Sequence, residues 1–279
     1  MPPGRCHDRH GQQADLVDAV NRRRTAGFTL TEAIMVIVIT GILAGMVAVF
    51  IQKPVEGFFD TARRAALVDT ADTVLRRVSR DLREALPNSV RVSGGTALEF
   101  LHVRSGGRYR EQGPGDILDF TAADTSFAVL SPAVSVQSGD SIVVYNLGVT
   151  GASAYEGTST SRRIAAAPFG PSLSNLVITS ATRFPFTSPA KRFQVVDTPV
   201  SYVCSAGQIL RYSGYTISAG QPVPPAVTGM PIADKVSACN FAYATGPSER
   251  AALVTLNLAL TDGGETVSLI YQVHVNNVP

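Results

Sequence analysis

Glu32 is the residue whose surroundings most demand a chemical explanation. It is an acid at the head of an uncharged apolar run, Ala33 to Ile51, that contains no proline. A carboxylate beside such a span is costly unless it is paired, so it marks a functional site by default. The plainer alternative is an anchor whose acid rests at the water interface. Other residues with chemical potential are few. Cys204 and Cys239 are the cysteines left once Cys6 is set aside with the leader; in an oxidising compartment such an even pair reads as a disulfide. His102 and His274 lie too far from each other and from the cysteines to give a zinc-ligand spacing. The turn Asp262-Gly263-Gly264-Glu265 is acidic but lacks a full calcium ligand set. There is no Gly-rich phosphate loop, HExxH helix or GxSxG elbow. No catalytic, cofactor-binding or metal-ligating residue is therefore assigned, and the chain is read as a non-enzyme.

The elements that position Glu32 follow from the sequence around it. The run from Ala33 to Ile51 covers about 28 Å as a helix, close to the hydrocarbon thickness of a bilayer. Arg22, Arg23 and Arg24 precede it, and by the positive-inside rule they keep that end cytoplasmic and send the body outward. A secretory signal places its small-residue cleavage site after the apolar core. Here the small residue, Gly27, comes before it, so a cut there leaves the helix on the mature chain. The net charge of +2 is already supplied by the leader, where five arginines face three aspartates. The remaining body is neutral, which argues against a nucleic-acid surface. Gly41 and Gly45 add a small-xxx-small pattern that lets helices approach closely.

The stretch Gly27-Phe28-Thr29-Leu30-Thr31-Glu32 with its apolar run resembles the cleavage and methylation signature of the type IV pilin and pseudopilin superfamily. Thr31 departs from the aliphatic residue usual before the acid. The resemblance implies that a prepilin peptidase/methyltransferase cuts between Gly27 and Phe28 and methylates the new amine of Phe28. It implies that Glu32 serves assembly. Physically, a fresh α-amine supplies the positive charge Glu32 lacks, and in a staggered stack the acid of one subunit can meet the amine of the next. The implied partners are the peptidase, major and other minor pilins, and an inner-membrane assembly platform.

The sequence predicts an α+β protein with a long N-terminal helix packed on a β-rich antiparallel head. The expected divisions are a leader at 1–27, a transmembrane and assembly helix at 28–53, an amphipathic helix at 54–88 and an exported head at 89–279. Pro54 is expected to bend or interrupt the helix. Beyond it, Val68, Ala71, Leu75, Val78, Leu82 and Leu86 form an apolar stripe, with Asp72–Arg76 and Arg80–Glu84 poised to pair. Arg76, Arg77, Arg80 and Arg83 read as a solvated face. From Ser89 on the pattern is β-like, with strands expected around 89–92, 97–103, 117–120, 127–130, 141–147, 176–178, 193–196, 200–204, 208–212, 236–243, 253–260 and 266–275. Gly94-Gly95, Gly106-Gly107, Ser138-Gly139-Asp140 and Asp262-Gly263-Gly264 are expected turns. Residues 148–175 and 217–231 are expected surface loops, the latter inside the Cys204–Cys239 span. His274 reads as a strand-face residue.

Three segments, 84–92, Arg211–Tyr215 and 267–279, resemble the MshO-type minor pilins of MSHA biogenesis. The reading is thus a minor prepilin, single-pass in the bacterial inner membrane with its head in the periplasm, serving pilus initiation or a tip complex. The rivals are a minor pseudopilin of type II secretion and a tip adhesin whose two long loops would build a concave polar site.

Overall fold

The computed structural model describes residues 27–157, 160–179, 182–245 and 250–279. The expectations for the leader, including Arg22, Arg23, Arg24 and Cys6, lie outside the described residues. The chain divides into two compact units, Met1–Phe59 and Asp60–Pro279. The helix α1 (Leu30–Arg83) contributes to both.

In the first unit α1 is the described element. It runs through Pro54 without the interruption expected there. Proline removes one backbone donor from the ladder, and helical residues on both sides carry the remaining bonds.

The second unit opens with the last turns of α1. Leu67, Ala71, Val74, Leu75, Val78 and Leu82 are buried in one core. The expected stripe is shifted by one residue at its start: Leu67 is buried and Val68 is 41% exposed. Leu86 is buried too, but lies past the helix end. Arg76, Arg77, Arg80 and Arg83 are exposed, as the stripe requires. Arg76 pairs with Asp72 at 2.6 Å. The other expected pair does not form, because Glu84 turns to His102 instead, at 3.1 Å.

The strands are β1 (Arg91–Ser93), β2 (Ala97–Tyr109), β3 (Ser126–Leu130), β4 (Val134–Val136), β5 (Ser141–Val144), β6 (Arg162–Ala166) and β7 (Gly170–Leu173). They continue with β8 (Asn175–Thr179), β9 (Arg192–Ser205), β10 (Gln208–Ser213), β11 (Met230–Ala233), β12 (Val236–Thr245), β13 (Ala251–Asp262) and β14 (Glu265–Asn276). All the ladders are antiparallel, giving an α+β unit.

Two long strands do double duty. The first half of β2 pairs with the second half of β9, Leu98 opposite Tyr202 and Phe100 opposite Val200. These four side chains join the helix core, together with Val254, Leu256, Leu258 and Leu260 from the separate β12–β13–β14 sheet. The other halves of β2 and β9 belong to a closed circuit, β2–β3–β8–β6–β5–β9 and back to β2. Closure removes exposed edges, and the circuit encloses its own core of Tyr109, Phe127, Ile142, Ile178, Phe193 and Val195.

This closure explains several departures from the sequence pattern. The Gly106-Gly107 pair, expected as a turn, lies inside β2. A Cβ on Gly107 would sit 3.1 Å from the Phe193 ring and 3.2 Å from Val134, so glycine allows close packing there. The two segments expected at 193–196 and 200–204 are one strand, β9. Residues 117–120 are irregular rather than a strand. Residues 148–175 are not a simple surface loop: they contain β6, β7 and the start of β8. Ala152, Ala154 and Arg163 there are buried, and Arg163 donates to the carbonyls of Thr182 and Arg183 while lying over the Phe184 ring. The hairpin at Asp262-Gly263-Gly264 forms as expected, Asp262 opposite Glu265. Gly263 and Gly264 both have positive φ, which a two-residue turn of this hand requires. Asp262 is paired with Lys235 at 2.8 Å, so its carboxylate already has a cation.

Candidate processing and assembly site

Gly27 and Phe28 precede the helix, and Thr29 caps it. The Thr29 hydroxyl accepts a hydrogen bond from the Glu32 backbone N–H at 3.3 Å, and its carbonyl accepts from the Ala33 N–H at 3.1 Å. Thr29-x-x-Glu32 is therefore the opening of a capping box, with the acid in the first turn where the helix dipole favours negative charge. Sequence reasoning overlooked this cap, although the Thr-x-x-Glu spacing carries it. Glu32 is exposed. Among the described residues, nothing lies within 4 Å of where a Gly27 side chain would begin.

Past Glu32, α1 presents its apolar residues outward. Its most apolar 18-residue window has a mean hydropathy of 2.9, and none of it is buried. Thirteen large side chains from Ile34 to Ile51 are exposed. At about 1.5–3 kcal/mol each, taking them out of water is worth roughly 20–40 kcal/mol. One carboxylate costs about 3 kcal/mol on insertion scales at the bilayer centre, and Glu32 stands at the end of the run rather than its middle. The helix thus leaves water despite Glu32, and it is long and apolar enough to cross a membrane. Gly41 and Gly45 are likewise open, with nothing within 4 Å.

In the second unit the Cys204–Cys239 disulfide is present. It ties β9 of the large sheet to β12 of the small one, across a Cα separation of 6.2 Å. The helix end is tied to the sheets by polar contacts that sequence did not signal. Asp81 accepts from the Tyr202 hydroxyl at 2.7 Å and from Arg211 Nε at 2.9 Å. Burial, then the Asp81 carboxylate, pushes the Tyr202 phenol well above its usual range. The 84–92 and 267–279 segments meet: Asn88 Nδ2 donates to the Asn277 and Asn146 carbonyls, at 3.1 and 2.9 Å. Arg211, from the third segment that shares their resemblance, is the residue bound to Asp81.

A second polar cluster sits where β2 and β9 change roles. The register slips between Leu101 and Val103 and again between Val103 and Ser105. These bulges bring His102, Arg104 and Asp197 together. His102 Nδ1 lies 2.8 Å from Asp197 and Nε2 3.1 Å from Glu84. Arg104 holds Asp140 at 3.0 Å and Asp197 at 3.3 Å. The Asp197 hydrogen bond holds the His102 imidazolium above its usual pKa, against burial. Asp197 is pushed up by burial, but His102 more than offsets this and its carboxyl falls below the usual range. No periodicity encodes this cluster, since bulges are set by pairing between distant strands.

Beside it lies a cleft of about 980 Å³. Arg162 and Ile164 reach it from the first expected loop, and Ser218, Pro222 and Val227 from the second. The two segments that the adhesin rival required to converge on a concave site do line one cleft. His274 is exposed on β14, as a strand-face residue.

Among known families, the prokaryotic N-terminal methylation motif matches residues 22–48. This match spans Gly27, Phe28, Glu32, Gly41 and Gly45, and the chain carries the prepilin-type motif. No curated protein and no solved structure matches the chain.

Proposed function

We propose that the chain is a minor type IV prepilin. The methylation motif at residues 22–48, on a helix whose most apolar stretch is wholly exposed, is the observation that carries this reading. A prepilin peptidase/methyltransferase cuts between Gly27 and Phe28 and methylates the Phe28 amine. Residues 28–53 then hold the protein in the bacterial inner membrane, the N-terminus is cytoplasmic, and the head beyond residue 88 faces the periplasm. During assembly Glu32 meets the cationic amine of a neighbouring subunit. Both groups sit at the head of the same apolar helix, so a one-step axial stagger brings unlike charges together and disfavours other registers. The chain's role is structural, with other pilins and an inner-membrane assembly platform as partners. The segments 84–92, Arg211–Tyr215 and 267–279 support assignment to the MshO type of MSHA minor pilin, acting in initiation or at the tip.

Mass spectrometry of membrane fractions from cells with and without the prepilin peptidase tests this. The expected result is a mature chain beginning at N-methylated Phe28 only when the peptidase is present. An uncut chain in peptidase-positive cells would sink the reading.

A further inference from the structure

The cleft beside the bulged strands has a charge arrangement that its place in an assembly subunit does not require. Its floor carries Arg104 with Asp140 and Asp197. Arg104 is paired with both of these acids. The second cation of the lining, Arg162, is half-buried. Its Nε donates to the Ala154 carbonyl at 2.9 Å, and among the described residues no carboxylate pairs with its guanidinium. Burial without an acid lowers its pKa. A guanidinium held this way has terminal N–H groups suited to a planar, bidentate carboxylate.

The remaining lining selects what else the ligand carries. Ser138, Thr216 and Ser218 bring exposed hydroxyls. The partly exposed Asp197 carboxylate is an acceptor suited to a hydroxyl donor, whereas Asp140 is buried and accepts from Arg104 and the Gln137 N–H. Ile164 and Val227, 42% and 36% exposed, form an apolar lip. A simple anion would fill a small part of about 980 Å³. A densely acidic peptide would set further carboxylates against Asp197. A ligand with many hydroxyls, apolar ring faces and carboxylates spaced apart by neutral ring atoms suits the exposed groups of this lining.

We infer that this cleft binds an acidic oligosaccharide, with Arg162 taking a sugar carboxylate, and Asp197 with the Ser138, Thr216 and Ser218 hydroxyls taking ring hydroxyls. This goes beyond the assembly role and is independent of it: processing at Gly27 can hold whether or not the cleft binds sugar.

The test uses the full-length protein in detergent micelles and isothermal titration with three probes: trigalacturonate, neutral maltotriose and hexaglutamate. Trigalacturonate should bind with a Kd of about 1 mM or tighter, at least about tenfold tighter than either other probe. Arg162→Gln should weaken trigalacturonate at least about tenfold while leaving maltotriose unchanged. Ala226→Trp, at an exposed lining position, should block trigalacturonate by filling the cleft, and it carries the test if Arg162→Gln does not fold. Arg76→Gln, on the helix, should bind as the parent does. Absence of trigalacturonate binding, equal binding of maltotriose, or indifference to both cleft variants would overturn the inference. Tighter binding of hexaglutamate would overturn it in favour of an acidic segment of a protein partner.

Discussion

Removing the Cys204–Cys239 bond should destabilise the second unit by an amount its position sets. The cysteines are 35 residues apart, and the span contains β10, β11 and the loop that lines the cleft. On the chain-entropy estimate, closing a loop of this length is worth about 4 kcal/mol, because the open loop is free in the unfolded chain. For a unit of this size each kcal/mol shifts the melting temperature by about 2–4 °C, so about 8–16 °C is at stake. The side chains themselves are only partly buried against the core, so their truncation should add less than about 1 kcal/mol. Cys204→Ala, Cys239→Ala and the double variant should therefore melt at nearly the same reduced temperature. Each single change already removes the whole bond, and the second removes nothing more. Thermal unfolding followed by tyrosine fluorescence suits a chain without tryptophan. Reducing the parent should reproduce the drop, and reductant should not affect the double variant. A drop below about 3 °C, or additive losses in the double variant, would refute the view that this bond acts by restraining the unfolded loop between two sheets.

At the proposed assembly site, Glu32→Gln keeps the length and hydrogen-bonding capacity of the side chain but removes the charge, whereas Thr29→Val removes the cap and keeps the charge. Glu32→Gln should be processed normally yet enter sheared pili at least about tenfold less, while Thr29→Val, at a cost of about 1 kcal/mol in helix start, changes incorporation little; normal incorporation of Glu32→Gln removes the pair from the mechanism. In the helix core, Leu82→Ala should cost about 2–5 kcal/mol because Leu82 is 1% exposed, whereas Val68→Ala should cost under about 1 kcal/mol; urea denaturation distinguishes them. The His102–Asp197 pair predicts a stability maximum in mild acid. His102, raised above 6.5, contributes fully below that value and loses its contribution as pH rises through the folded value. Asp197, lowered below 3.8, contributes above that value and loses it as pH falls through its folded value. The urea midpoint should fall from pH 5.5 to 8.5, and His102→Gln should flatten that fall.

The N-terminal motif was legible in the residues because its physics is local. Small residue, acid and apolar run each act through sequence neighbours, and a helix makes neighbours of residues three and four apart. The same locality gave the amphipathic stripe of α1 and the last hairpin, where Gly263 and Gly264 supply a backbone shape few other residues adopt. The cysteine pair was legible by count, since thiols outside the leader numbered two. Tertiary structure decided what depends on distant strands. Whether Gly107 ends a strand or sits within one was settled by Phe193 packing onto it, 86 residues away. Whether Glu84 pairs with Arg80 or His102 was settled by where β2 lies under the helix end. Pairing between β2 and β9 closed the strand circuit, placed the bulges and brought Arg104 between Asp140 and Asp197. Only the fold brought Arg162 and Val227 to one cleft, because pairing register is a property of two segments and neither carries it alone.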